Sequence, residues 1–288
     1  MERIRAPLSP LTCPGDQLYR VLHITSSCPD ISGVLSGKDI LVWDAGRGSR
    51  MGSLVKDGKS KGNLYVRGSH RLFHFSAGAA IWLVDTLKKM HREYVGFIAC
   101  DQVVSLSDQM KQELTSSLEV ASEQGADVIF FDGPPALSLM RLRYFLDRAR
   151  QPRKDSLASL NRERTLLKNH GGGHVLQCVL LKRKLVTPLT NVLKVILQAV
   201  RDGFDLDYGV TDVAILPQLV QPRWLARQDH PAARKIYSAL CDWRDNVKNI
   251  FPVSVPIEVL NCNTPLVLKR LQKRISQDSQ AQRSFDHV

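Results

Sequence analysis

Three stretches bring together residue types that could do chemistry. In Asp44-Ala-Gly-Arg-Gly-Ser49 a carboxylate closes the apolar run that begins at Asp39, and two glycines follow at once. Glycines after a strand let the backbone turn sharply and approach a ligand closely, so this is where an α/β sheet would hold a nucleotide-like cofactor. Asp44 would stand at the entrance of that loop, with Gly46, Gly48 and Ser49 along it. The stretch lacks the third glycine of GxGxxG and the Lys-Ser/Thr of a phosphate loop, so it supports neither dinucleotide binding nor NTP hydrolysis. An ordinary strand–helix turn would read the same way.

The second stretch is Asp132-Gly-Pro-Pro135, which ends the apolar run from Ala126. A rigid turn there would hold the carboxylate at the rim of a sheet, the place where scaffolds carry their chemistry. As an alternative, Asp132 could simply cap the next helix. The third runs from Arg141 to Lys184, where twelve basic residues face three acids, a local charge of +9. Clustered Arg and Lys of this kind suit phosphates, and Arg141, Arg143, Lys182, Arg183 and Lys184 are the expected RNA contacts. Two histidine pairs, His70/His74 and His170/His174, have i, i+4 spacing. Neither carries the glutamate of HExxH, and no metal site is expected.

The surrounding pattern supplies the elements that must hold these residues. Tyr94 to Cys100, Ala126 to Asp132, His174 to Leu181 and Val210 to Leu216 read as strands beside the one ending at Asp44. Between them, Ala79 to Met90, Ser107 to Gln124 and Leu189 to Val200 read as helices, the second N-capped by Ser107 and stopped by Gly125. A further helical piece is expected around Asp16 to His23, and Met51 to Val55 could open another. Strands alternating with helices predict an α/β fold, a largely parallel sheet with helices on both faces. The expected organisation is an N-terminal segment over 1–37, an α/β domain over 38–217 and a small basic helical extension over 218–288.

The 288 residues are 43% hydrophobic and 24% charged, a composition that excludes disordered and fibrous classes. Six cysteines without a CxxC pair argue against a zinc ribbon, a redox pair or a disulfide framework. The N-terminus has no apolar core of a secretory signal, and no apolar run is long enough to span a membrane, so a soluble intracellular protein is expected. The net charge of +12 points to an anionic partner.

In order and spacing, these pieces resemble the methyltransferase region of the large polymerase protein of non-segmented negative-strand RNA viruses. The stretch from Asp16 to His23 looks like that family's first motif helix, and Asp44 to Gly52 is similar to its glycine-rich cofactor loop. Ala126 to Asp132 looks like its aspartate-ending strand, and Gly171 to Leu181 like its Gly-Gly strand carrying a lysine. The likeness covers roughly residues 16 to 250. It implies a Rossmann-like fold that binds S-adenosylmethionine and methylates the capped 5′ end of RNA, in the host cytoplasm or the virion, with viral polymerase or nucleocapsid components as further partners. The D-G-P-P ending also occurs in partition-type ATPases and bacterial tyrosine kinases, but those need an upstream glycine-lysine loop, and none is present.

The family's Lys-Asp-Lys-Glu tetrad is altered here. Arg20 stands at the first lysine, Asp132 keeps the aspartate, Cys178 (or Gln177, one residue earlier) falls at the second lysine, and Asp212 replaces the glutamate. A ribose hydroxyl must lose its proton to a base, and arginine cannot take one. Guanine N7 needs no such base, only alignment with the donor. N7 chemistry, a divergent site and a non-catalytic RNA-binding or polymerase-accessory protein on the same fold therefore all remain open.

Overall fold

The computed structural model describes residues 21–25, 35, 37–44, 48–55, 60–131, 176, 178–204, 231–253 and 257–285. Arg20, Gly46, Asp132, Arg141, Arg143 and Asp212 lie outside them, as does the expected strand from Val210 to Leu216.

The first described elements are two parallel strands, β1 (Val21–Thr25) and β2 (Ile40–Asp44). A 3-10 turn over Ser49–Val55 and a short one over Lys61–Asn63 lead to a small hairpin, β3 (Tyr65–Arg67) and β4 (His70–Arg71). Helix α1 (Leu72–Lys89) then crosses to β5 (Tyr94–Ala99), and β6 (Gln102–Ser105) precedes α2 (Asp108–Glu123). After β7 (Val128–Phe131) come β8 (Cys178–Lys182), α3 (Val186–Arg201) and α4 (Pro231–Arg244). The chain closes with β9 (Ile250–Val253), β10 (Glu258–Asn261) and α5 (Pro265–Phe285).

Among the described residues, six strands form the central sheet in the order β1-β2-β5-β8-β7-β9, and of these β8 alone runs against the others. Both faces are covered, so the inner strands read as continuous apolar runs rather than alternating ones. Alternation decides which face each residue serves. Leu41, Trp43, Phe97, Val179 and Leu181 pack with α3 and α4, while Ile40, Val42, Ile98, Cys178 and Leu180 pack with α1 and α2. Helix α4 buries Ala233, Ile236, Leu240 and Trp243 at helical spacing, and the Trp243 indole donates to the Leu185 carbonyl at 3.1 Å. The largely parallel sheet with helices on both faces agrees with the sequence reading.

Two expectations need correction. Residues 21–23, read as the end of a helix, are strand: β1 is an edge strand with Ile24 as its one fully buried residue, so its pattern carries little period. The C-terminal part is not a purely helical extension, because β9 pairs with β7 inside the main sheet and β10 pairs with β6. The carboxyl ends of β2 and β7 lie at the same end of the sheet. β5 and β8 lie between them, which puts the tips three strand spacings, roughly 14 Å, apart.

Helix α2 starts where expected: the Ser107 hydroxyl accepts from the Met110 N–H at 3.2 Å. Ser107→Ala should therefore cost about 1 kcal/mol of stability, measured by urea unfolding; an unchanged midpoint would remove the cap from the account.

Candidate functional site

A buried polar cluster sits at the carboxyl end of the three parallel strands β1, β2 and β5. Each strand leads to part of it. His23 comes from β1, Asp44 ends β2, and Cys100 and Asp101 follow β5 directly. Carboxyl ends of parallel strands are where open α/β sheets place ligands.

Asp44 is the hub. Its side chain is 2% exposed, and Oδ2 accepts from the His23 ring at Nε2 (2.8 Å) and from the Gly62 backbone N–H (2.7 Å). The His23 ring is held flat on Phe73, with centroids 4.4 Å apart and planes 10° apart. Gly62 has to be glycine for reasons of space. A Cβ there would lie 2.5 Å from Asp44 Oδ2, 2.8 Å from His23 Nε2 and 3.1 Å from Cys100 Cβ. The segment Lys61–Asn63 thus seats its backbone directly on the β2 tip.

Lys61 makes a second set of contacts. Its ammonium donates to Asp101 Oδ2 at 2.5 Å and to Asn263 Oδ1 at 2.8 Å. Burial alone would lower the Lys61 ammonium, but Asp101 outweighs it and holds the group above the ordinary lysine range. Asn263 arrives because β10 pairs antiparallel with β6 and the Cys262 N–H donates to the Asp101 carbonyl at 2.7 Å. The Cys100 thiol is pushed well up by burial and then by Asp44, so it stays protonated and is no nucleophile.

Of the expected cofactor-loop residues, Asp44 belongs to this rim and Gly48 follows it. Gly48 has φ +63°, a left-handed conformation that a side chain would strain, and a Cβ on it would meet Val55 Cγ1 at 3.1 Å. Ser49 opens the 3-10 turn behind it. Asp44 itself faces inward and braces the turn rather than reaching a ligand.

Four expected site residues are elsewhere. Cys178 is fully buried in β8 under α1 and α2, and burial drives its thiol far up, so it is a core residue and not a catalytic one. Lys182, Arg183 and Lys184 lie at the opposite end of the sheet, since Lys182 pairs with Tyr94 at the start of β5. They serve the fold. Lys184 and Lys182 reach Asp127 Oδ1 at 2.8 and 3.4 Å, and Arg183 reaches Asp39 Oδ1 at 2.9 Å. Their charged groups thus lie against carboxylates of the fold, at the end of the sheet away from the Asp44 rim.

That acidic partner has a consequence. Burial would raise the Asp127 carboxyl, but the bonds from Lys184, the Lys248 N–H and Lys182 prevail and hold it below the ordinary carboxylate range. A depressed carboxylate stabilises the fold above the unfolded-state pKa and stops doing so as pH falls through the folded value. Stability should therefore drop below about pH 4, and Asp127→Asn should flatten that part of the acid-unfolding profile. Parallel profiles for the two proteins would contradict the assignment.

Sequence reasoning missed His23, Lys61, Asp101 and Asn263. His23 sat in a stretch read as helix, while Lys61 and Asn263 meet across 202 positions, beyond any local signal. Among the described residues no group of three or more His, Cys, Asp or Glu is placed to hold a metal, and His74 Nδ1 instead accepts from the Arg71 N–H at 2.9 Å. No helix among them is long and apolar enough to cross a membrane. No protein-family model, curated protein or solved structure matches the chain.

Proposed function

We propose that this chain is an RNA-associated protein of the S-adenosylmethionine-dependent methyltransferase type, a Rossmann-like sheet acting on the capped 5′ end of viral mRNA. The observation that carries the reading is the placement of Asp44 and Asp101 at the carboxyl ends of the neighbouring parallel strands β2 and β5. S-adenosylmethionine offers a ribose diol and a carboxylate; on this reading they would take Asp101 and Lys61, which here bond to each other and would have to part for the ligand. When bound, it supplies a methyl group on a positively charged sulfur.

His23 takes the role that Arg20 and Cys178 cannot fill. With Asp44 accepting from Nε2, Nδ1 is the nitrogen left to receive a proton from an attacking hydroxyl. The resemblance gives Asp132 the part of positioning the methyl donor and acceptor. The test is transfer of a labelled methyl group to capped RNA by wild type, His23→Gln and Asp132→Ala. Loss of ribose methylation in His23→Gln is expected, and rates equal to wild type would remove His23 from the chemistry.

A second reading is a non-catalytic RNA-binding or polymerase-accessory protein on the same fold. It is favoured by Cys178, sealed in the core where the resemblance places a lysine, and by Asp44, whose Oδ2 is engaged by two protein donors. Methyl-donor binding without transfer to any capped RNA would select it.

A further inference from the structure

A second basic stretch of the chain lies in α5. From Val259 to Gln277 the chain holds four cations and no acid. In α5, Leu268, Leu271 and Ile275 are buried against Val66 of β3, which turns Lys269, Arg270 and Lys273 outward on the opposite stripe. Strand β3 alternates in the same sense: Val66 points in, Tyr65 and Arg67 point out.

Tyr65 is 60% exposed, an unusual position for a large aromatic ring. The Arg71 guanidinium lies over it, 5.1 Å from the centroid, and so fixes the ring at little further entropic cost. The basic helix is tied to the same strand, since Gln272 Nε2 donates to the Tyr65 carbonyl at 3.0 Å. Arg71 also donates to Asn63 Oδ1 at 3.0 Å, one residue from Gly62, whose N–H binds Asp44. Ring, basic stripe and rim are therefore connected side by side.

We propose that the β3–β4 hairpin and the outer face of α5 form a binding surface for single-stranded RNA. A base stacks on Tyr65, Arg67 and Arg71 frame it, and Lys269, Arg270 and Lys273 neutralise the following phosphates. An exposed aromatic beside a cationic track is the pairing that single-strand recognition uses, because every base has a stacking face and every nucleotide a charge. A membrane surface would use the charge but has no need of an upright, arginine-braced ring. The inference rests on the reading of the chain as RNA-associated and delivers the strand next to the rim.

The test is fluorescence anisotropy of the full chain with a labelled single-stranded RNA of roughly 12 nucleotides, titrated over a range of salt. Tyr65→Ala should weaken binding about tenfold with an unchanged salt slope, and Tyr65→Phe should stay within about twofold. Lys269→Glu with Lys273→Glu should reduce the slope by about two, one per phosphate contact. Unchanged melting temperatures would certify that the variants fold. RNA binding that ignores all of these changes would overturn the surface and leave RNA association standing. Wild type that binds no RNA, or that binds anionic lipid vesicles in preference to it, would overturn both.

Discussion

Asp44→Ala should lower the free energy of unfolding by about 3 kcal/mol, because it leaves two buried donors without an acceptor. The Gly62 N–H and the His23 ring both depend on one carboxylate oxygen, and with the side chain 2% exposed, water has little access to replace it. The loss should be visible as a reduced urea midpoint with an unchanged slope. Asp44→Asn keeps one acceptor oxygen and should fall between alanine and wild type. A midpoint for Asp44→Ala equal to that of wild type would mean that the rim does not organise around this residue.

Gly62→Ala should cost about as much by the opposite route, forcing in an atom instead of removing one. The added carbon meets the same carboxylate at 2.5 Å, and the backbone can retreat only by breaking its own 2.7 Å bond to it. Overpacking of this kind costs about 1–3 kcal/mol, and the upper end is expected at a polar contact. The two changes are coupled. In an Asp44→Ala background the worst overlap is gone, so Gly62→Ala should lose at least about 1 kcal/mol of its effect in a double-mutant cycle. Simple additivity would place Gly62 and Asp44 in separate environments. Both variants should also weaken methyl-donor binding, since Lys61 is carried by the displaced segment.

Where local pattern and tertiary role coincide, the chain is readable. Helix α2 has its cap, its apolar period and its terminating glycine within one window, and β5 is a short apolar run bounded by polar residues. The Asp44 turn announces itself by composition. Edge elements hide for physical reasons: β1 buries little, and β9 contains Pro252, which argues against an inner strand but is tolerated on an edge paired on one side. The direction of β8 leaves no mark, because a run buried on both faces looks alike read either way. That one reversal sends Lys182 to Lys184 to the end of the sheet opposite the rim. The rim cluster is the least legible part, since Lys61, Asp101 and Asn263 are joined only by folding.

Calorimetric titration of S-adenosylmethionine into wild type and Asp101→Asn tests the proposed ligand rim most directly. Saturable one-to-one heat with wild type, weakened at least about tenfold when the Asp101 charge is removed, is the predicted outcome, an amount in keeping with loss of a charge-assisted hydrogen bond. No heat at millimolar ligand, or equal affinity in both proteins, would contradict it.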